Sequence, residues 1–471
     1  MKVWSLNEIV SFTDGVLLQG CGGTKISKVV FDSRAATPGS LFVPIIGERV
    51  DGHSYIADAA GRGAVATLAG HTWLENNQLP ANDIGVIGVD LPVTALQQWA
   101  YRYLQGLTAR IVGITGSSGK TTTKEMVAAV LQSIYQVLKN EGNLNTEIGL
   151  PLTVVGALPE HEWLVLEMGM SSFGEIQLLT EIAQPDIAVI TNVGEAHIEL
   201  LGSKQNIAIA KAEILEGMAS NGIAILNGDD SLVLAQADKA PGEIIYFGIG
   251  RKPEQAKRLY ITDLRNMGDH LEFVVNWRGE QEQVVFSWPG QHNVYNIAAA
   301  LAVGIAAGIP LREAIAGLAN FTPASSRLHI KKIAGYTVID DTYNANPTSM
   351  RVGLRVLCDY PDAARRVAVL GDMLELGEIA GDAHLDLGTA VAKSGIDELV
   401  AVGDLAMGIA FGALRAGFDA KKIHIFRSNQ TAADYLLKTQ FPGQLVLIKG
   451  SRGMRMEEIV AALEGGNCDG H

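Results

Sequence analysis

Residues 112–126 read VGITGSSGKTTTKEM, and no other stretch limits the fold as strongly. An apolar run at 111–114 leads into a turn carrying Gly113, Gly116 and Gly119. Lys120 and Thr121 follow, with Met126, Val127, Val130, Leu131 and Ile134 at helical spacing. The pattern is a buried strand, a tight loop and a helix start. At a helix start the first N–H groups have no partner and the peptide dipoles point their positive end outward, so the loop suits a polyphosphate. Gly116, Ser117, Ser118, Gly119, Lys120, Thr121 and Thr122 are therefore the candidate nucleotide cradle. Lys120 would reach the outer phosphates and Thr121 would offer its hydroxyl to Mg²⁺. The strict phosphate-loop spacing is not met, because Ile114 stands at the position of its first glycine. An ordinary glycine-rich turn is the alternative; the Lys-Thr pair at the helix start argues against it.

A chain of 471 residues is too long for one typical domain and suggests about three. Its formal net charge of −14 leaves no broad basic face for a nucleic-acid backbone, so an anionic ligand must be met by local cations. Cys21, Cys358 and Cys468 show no paired spacing, and free thiols in a reducing compartment are expected. The N-terminal residues show no signal-peptide pattern, and the longest apolar stretch, 297–310, is shorter than the ~20 residues of a membrane helix. A soluble cytoplasmic chain without membrane insertion is the expectation.

Residues 1–90 read as a small α/β unit, with strands expected at 28–31 and 40–46. Within it Ser33 and Arg34 are either turn residues with solvated charges or recognise a polar anionic ligand. A helix is expected at 91–107. Past the phosphate loop, a strand at 136–139 precedes a loop dense in short polar side chains, among them Asn145 and Thr146, on the same edge as the candidate cradle. Glu167 ends a strand at 163–166, where a carboxylate beside a phosphate loop commonly holds Mg²⁺, against the alternative of a salt-bridged acid. His197 follows the next strand, 187–190, and is a candidate active-site residue or a hydrogen-bonded core histidine. Lys211 falls on the face that Ile207, Ile214 and Met218 form on a helix at 206–219, either snorkelling or held in a buried polar site.

Asn293 and Asn296 precede a helix at 297–307, as caps or as amides that read a base edge. Residues 322–327 look like a hinge. Beyond them a strand at 337–339 and strands at 366–370, 398–402, 422–426 and 445–448 alternate with helices, which reads as a second parallel-sheet domain without its own phosphate loop. Residues 371–377 and 449–453 follow strands of that sheet, where such sheets bind ligands.

In this order the motifs resemble the Mur ligase family over nearly the whole chain. The marks are TGSSGKTT, Glu167, His197, Lys211 in AKAEI, GQHNVYN, Arg327 in SSRLHI and Asp341 in DDTYNANP. The resemblance implies an α/β protein of three domains: a UDP-substrate domain at 1–90, a central ATP-binding parallel-sheet domain at 91–324 and a Rossmann-like domain at 325–471. It implies ATP and Mg²⁺, with Asn293, Asn296, Arg327 and Asp341 on the nucleotide, Lys120, His197 and Lys211 in catalysis, and Thr121, Glu167 and His197 at the metal. It also implies that Lys211 aligns with a lysine carbamylated in several siblings. The runs GNLNTEIGLP, DDTYNANPTSM, LGDMLELG and KGSRGMRME are similar to the branch whose substrates are UDP-N-acetylmuramoyl-tripeptide and D-alanyl-D-alanine. On that likeness Ser33 and Arg34 would face the uridine diphosphate, and Asn145, Thr146, Asn344, Asn346 and Ser451 the peptide partners. The D-N-P-R motif usual in the branch that adds the third residue does not occur. Another amide ligase of the superfamily, of that branch or of folylpolyglutamate type, and a phosphate-loop hydrolase or switch remain the alternatives. A monomer is expected.

Overall fold

The computed structural model describes residues 2–47, 49–79, 84–323, 326–333 and 336–465. Cys468 and the expected boundary at 324/325 lie outside them. Cys21 and Cys358 are free thiols.

Three larger sheets follow one another along the chain. The first runs Val16–Gln19, Gly85–Val89, Ala64–Gly70, Ser40–Phe42, Lys28–Val30, antiparallel at its first pair and parallel after it. The strand expected to reach residue 46 stops at Phe42, since Pro44 has no N–H to give a ladder. A two-residue ladder pairs Trp4–Ser5 with Lys25–Ile26.

Helix Pro92–Leu104, with proline in its first turn, joins this sheet to the next. Its buried Trp99 and Tyr103 meet Trp4 edge-on at 5.1 and 4.7 Å. Trp4 Nε1 donates to the carbonyl of Val155 at 3.0 Å and Tyr103 OH to that of Ala157 at 2.8 Å. These aromatic side chains belong to a single apolar core that continues through Leu150 and Val154 into Leu164 and Leu166 of the central sheet.

The nine-stranded central sheet has Arg110–Thr115 between Trp163–Glu167 and Ile187–Ile190. Its parallel strands end together, so Thr115, Lys139, Glu167, Ile190 and Asn227 lie along one edge. Beyond Arg258–Asn266 the sheet continues antiparallel through Leu271–Trp277 and Glu280–Phe286. The alternation of buried Leu271, Phe273, Val275 and Trp277 is the period-two signal of a one-faced strand. Helix Asn293–Ala306 packs on the phosphate-loop helix Lys120–Gln132, and at Gly304 a Cβ would come 2.7 Å from Val130 Cγ1. This helix starts at Asn293 rather than 297, and neither asparagine caps it; His292 occupies the cap position without a side-chain bond.

The third sheet runs His329–Ile333, Tyr336–Asp340, Gln444–Lys449, Arg365–Gly371, Glu398–Val402, Ile423–Phe426. It is parallel except for its first pair, whose outer strand was not expected. The architecture is a three-sheet α/β protein. Among the described residues no helix is long and apolar enough to cross a membrane.

Candidate active site

The phosphate loop leaves Thr115 at the strand end and re-enters a helix at Lys120. Two glycines make the path possible. Gly116 has φ +150, and a Cβ there would lie 1.9 Å from Thr191 Oγ1; Gly119 has φ +82, and its Cβ would lie 2.4 Å from Asn296 Oδ1. The loop is pinned from the neighbouring strand end. Asn192 Oδ1 accepts from Ser118 N at 2.9 Å, while Thr191 Oγ1 and Asn192 Nδ2 donate to the Ser118 carbonyl at 2.7 and 2.9 Å. Lys120 folds back over the loop and donates to the Gly116 carbonyl at 2.8 Å. Burial holds its ammonium below the usual lysine range, with Glu167 opposing the shift and Arg327 adding to it.

Thr121 Oγ1 donates to Glu167 Oε2 at 2.7 Å, and Asn145 Nδ2 donates to Glu167 Oε1 at 2.8 Å. A hydroxyl and a carboxylate oxygen thus meet at the cradle, a hard-oxygen set. Among the described residues no three His, Cys, Asp or Glu side chains cluster as a metal cage. Mg²⁺ needs no such cage: it keeps waters and takes one or two carboxylates together with phosphate oxygens, so the residues present fit it. His197, at φ +63, starts the short helix Ile198–Leu201. Burial, then Lys120 and Lys211, push its pKa down to about 4. The Glu375 carboxylate 3.4 Å from its Nδ1 pulls the other way, but that acid is largely exposed and its field is screened by water.

Asn296 and Asn293 form a chain across the base of the site. Thr123 Oγ1 donates to Asn296 Oδ1 at 3.2 Å, Asn296 Nδ2 to Asn293 Oδ1 at 3.1 Å, and Asn293 Nδ2 to the Pro289 carbonyl at 2.8 Å. From the third sheet, Arg327 lies 4.0 Å over the Tyr343 ring. Asp341 Oδ1 accepts from Leu328 N at 3.2 Å and its Oδ2 lies 2.6 Å from Lys449 Nζ. Burial raises the Asp341 pKa even so, the lysine offsetting only part of it.

One cavity of about 530 Å³ is lined from both sheets: by Ser117 to Thr122, Asn145, Thr146, Glu167, His197, Asn293 and Asn296 on one side, and by Arg327, Asp341, Asn344 and Asn346 on the other. Gly116 supplies the carbonyl behind Lys120. Gly116 and four further expected residues do not line it. Lys211 is buried on helix Lys204–Glu216 with no hydrogen bond or ion pair among the described residues, and burial, with Lys120 next, drives its pKa well down. Ser451 is buried and engaged, accepting from Leu374 N at 2.8 Å and donating to the Ala345 carbonyl at 3.2 Å. Ser33 is buried in the first unit, and the Arg34 guanidinium is exposed and forked onto Asp32. Asn346 also caps helix Pro347–Asp359. The cavity also takes in side chains that had no individual role assigned, among them Trp288, His292, Tyr295 and Lys449. For Lys449 a signal existed, a cation ending an otherwise apolar strand, and His292 stood inside a quoted motif.

Family models match along the chain: "Mur ligase family, catalytic domain" at residues 25–103, "Mur ligase middle domain" at 114–304 and "Mur ligase, glutamate ligase domain" at 326–452. The UDP-N-acetylmuramoyl-tripeptide–D-alanyl-D-alanine ligase of Bacillus subtilis (strain 168) is 39% identical over 93% of this chain and 93% of its own. A crystal structure of MurF from Acinetobacter baumannii superposes with a TM-score of 0.87 at 32% identity, covering 99% of each chain. MurF from Thermotoga maritima, solved in complex with ADP, gives 0.78 at 30% identity, covering 93% of this chain and 97% of that one.

Proposed function

The chain belongs to the Mur ligase family, and on that premise we propose that it joins D-alanyl-D-alanine to UDP-N-acetylmuramoyl-tripeptide at the expense of ATP, in the cytoplasmic synthesis of peptidoglycan precursors. The observation that carries the reading is the cavity in which the phosphate loop and Glu167 face Arg327, Asp341 and Asn344 of the third sheet. A nucleotide lying there would touch both sheets at once.

A carboxylate acylates poorly because its leaving group would be oxide. The tripeptide carboxylate attacks the γ-phosphorus of ATP, ADP departs, and the acyl phosphate so formed loses inorganic phosphate when the dipeptide amine adds and sheds its proton. Lys120 and the free N–H groups of the helix start spread the charge that develops on the transferred phosphoryl group. Thr121, Glu167 and His197 would hold Mg²⁺, which would supply positive charge to offset that of the phosphates. Asn293, Asn296, Arg327 and Asp341 orient the nucleotide. Asn145 and Thr146, beside Glu167, face the tripeptide end. Asn344 and Asn346 face the incoming dipeptide, and Ser451 braces the Leu374 turn next to them. Ser33 and Arg34 belong to the unit at 1–90 that receives the uridine diphosphate, where Arg34 must exchange Asp32 for phosphate. Residues 91–324 carry ATP and 325–471 the dipeptide.

Lys211 suits carbamylation. A lysine whose pKa is driven down presents a neutral free amine, which adds CO₂ to give a carbamate and a proton, placing an anion where the charge of Lys120 favours one. Labelling with ¹³CO₂ should give a carbamate resonance that Lys211→Ala lacks. Its absence from the active wild type would remove this assignment. For the reaction itself, phosphate release should require both UDP-N-acetylmuramoyl-tripeptide and D-alanyl-D-alanine and yield one pentapeptide product by mass. Equal release without them would favour a hydrolase or switch instead.

A further inference from the structure

Lys124 lies on the phosphate-loop helix one turn past Lys120, fully buried, and does not line the cavity. An ammonium out of water is costly unless it is paired, so a side chain that merely filled space here would be apolar. Its Nζ donates to the carbonyl of Asn140 at 2.5 Å and sits 3.2 Å from Glu125 Oε1; Glu125 also pairs with Lys139. Asn140 is itself fully buried and spends its whole amide. Oδ1 accepts from Glu167 N at 2.9 Å, and Nδ2 donates to the Glu167 carbonyl at 3.1 Å and the Leu144 carbonyl at 2.7 Å. One asparagine therefore grips Glu167 on both sides of its backbone and closes the loop that presents Asn145, whose amide holds the Glu167 carboxylate.

Thr121 and Glu167 come from different elements, the helix start and a strand end. Lys124, on the helix of Thr121, ties that helix through Asn140 to the backbone of Glu167. We propose that Lys124 and Asn140 are positioning residues that fix the separation and direction of the Thr121 hydroxyl and the Glu167 carboxylate, and so set how tightly the site takes Mg²⁺ with nucleotide. The proposal rests on the magnesium site of the ligase reading.

The test compares Lys124→Met and Asn140→Ala with Val130→Ala, a cavity-forming change farther along the same helix. For each, the Mg²⁺ dependence of ADP binding is read by calorimetry, the Mg²⁺ dependence of turnover at saturating ATP by phosphate release, and the melting temperature by calorimetric scan. The brace predicts a Mg²⁺ midpoint raised at least about fivefold in both variants, less than about twofold change in the KM for ATP at excess Mg²⁺, and an unmoved midpoint in Val130→Ala despite its lower melting temperature. Midpoints within about twofold of the wild type would reduce Lys124 and Asn140 to supports of the fold and overturn the proposal. Should Lys124→Met fail to fold, Asn140→Ala decides alone, since it leaves the lysine in place. ADP binding needs no peptide substrate, so a chain that binds Mg²⁺ and ADP yet never forms the pentapeptide would sink the ligase reading while the brace stood.

Discussion

At the scale of single residues, the site sets charge in a place that water reaches poorly. Lys120 already lies over its loop, held by the Gly116 carbonyl. Lys120→Ala should keep the fold, by circular dichroism and melting, and lose ligase turnover by about two to three orders of magnitude, the scale of removing one preorganised group aimed at developing charge. Turnover near wild type would contradict its role. His292 is a second case. Burial, then Lys449 and Arg355, put its pKa at about 4, below the ordinary value of 6.5. The unfolded chain therefore binds this proton at a higher pH than the folded chain does, so stability rises with pH between about 4 and 6.5 and is flat above. His292→Gln should remove part of the loss of unfolding free energy on acidification through that window, at most about 3 kcal/mol, and leave the pH dependence near pH 8 unchanged. An identical slope in the variant would show that His292 takes up its proton in the folded state as easily as in the unfolded chain.

At the scale of elements, the phosphate loop depends on two residues without side chains. Gly119→Ala would force a left-handed φ on alanine and drive its Cβ into Asn296 Oδ1. It should cost about 1–2 kcal/mol of stability in urea and weaken ADP binding more than it weakens binding of the UDP substrate. An equal effect on both ligands would place the damage elsewhere. This element was legible in the sequence because its physics is local: a buried strand, permissive glycines and an exposed helix start leave few alternatives. Glu167 and His197 were legible for a related reason, the first ending an apolar strand and the second lying in the loop that follows the next strand of the same parallel sheet. Other features depend on partners distant in sequence. Lys449 acquires its place only when Gln444–Lys449 pairs with Tyr336–Asp340 and brings it to Asp341. Asn192 is one polar turn residue among several until Ser118 docks on it. The antiparallel strands at 258–286 carried a readable alternation, yet nothing local says that they extend the central sheet. Ser451 shows the converse, a residue well placed by its strand end whose hydroxyl the fold itself employs.

At the scale of the whole molecule, the two junctions between sheets are of different kinds. The first and central units share a continuous apolar core through Trp4, Trp99 and Tyr103, and separating them would expose the part of it that lies between them. Among the described residues the third sheet shares no such core cluster with the central unit; its contacts include His197 with Glu375 at 3.4 Å, Asn266 Nδ2 with Asp359 Oδ2 at 2.8 Å and the Trp288 ring 6.4 Å from that of His329. Exposed contacts of this sort contribute about 0–1 kcal/mol each, whereas every 1.4 kcal/mol of nucleotide contact made only when the sheets face each other shifts their population tenfold. Closure should therefore follow the ligand. X-ray scattering should show a smaller radius of gyration with Mg²⁺ and a non-hydrolysable ATP analogue than without. Lys449→Met removes the cation that pairs with Asp341 on the far wall but leaves the phosphate loop untouched. This variant should still bind the analogue within about tenfold of wild type, losing one charged contact, while the compaction shrinks. A radius that ignores nucleotide in the wild type, or a compaction undiminished in the variant, would mean that the third sheet is held by its own contacts and that the nucleotide does not bridge the two walls.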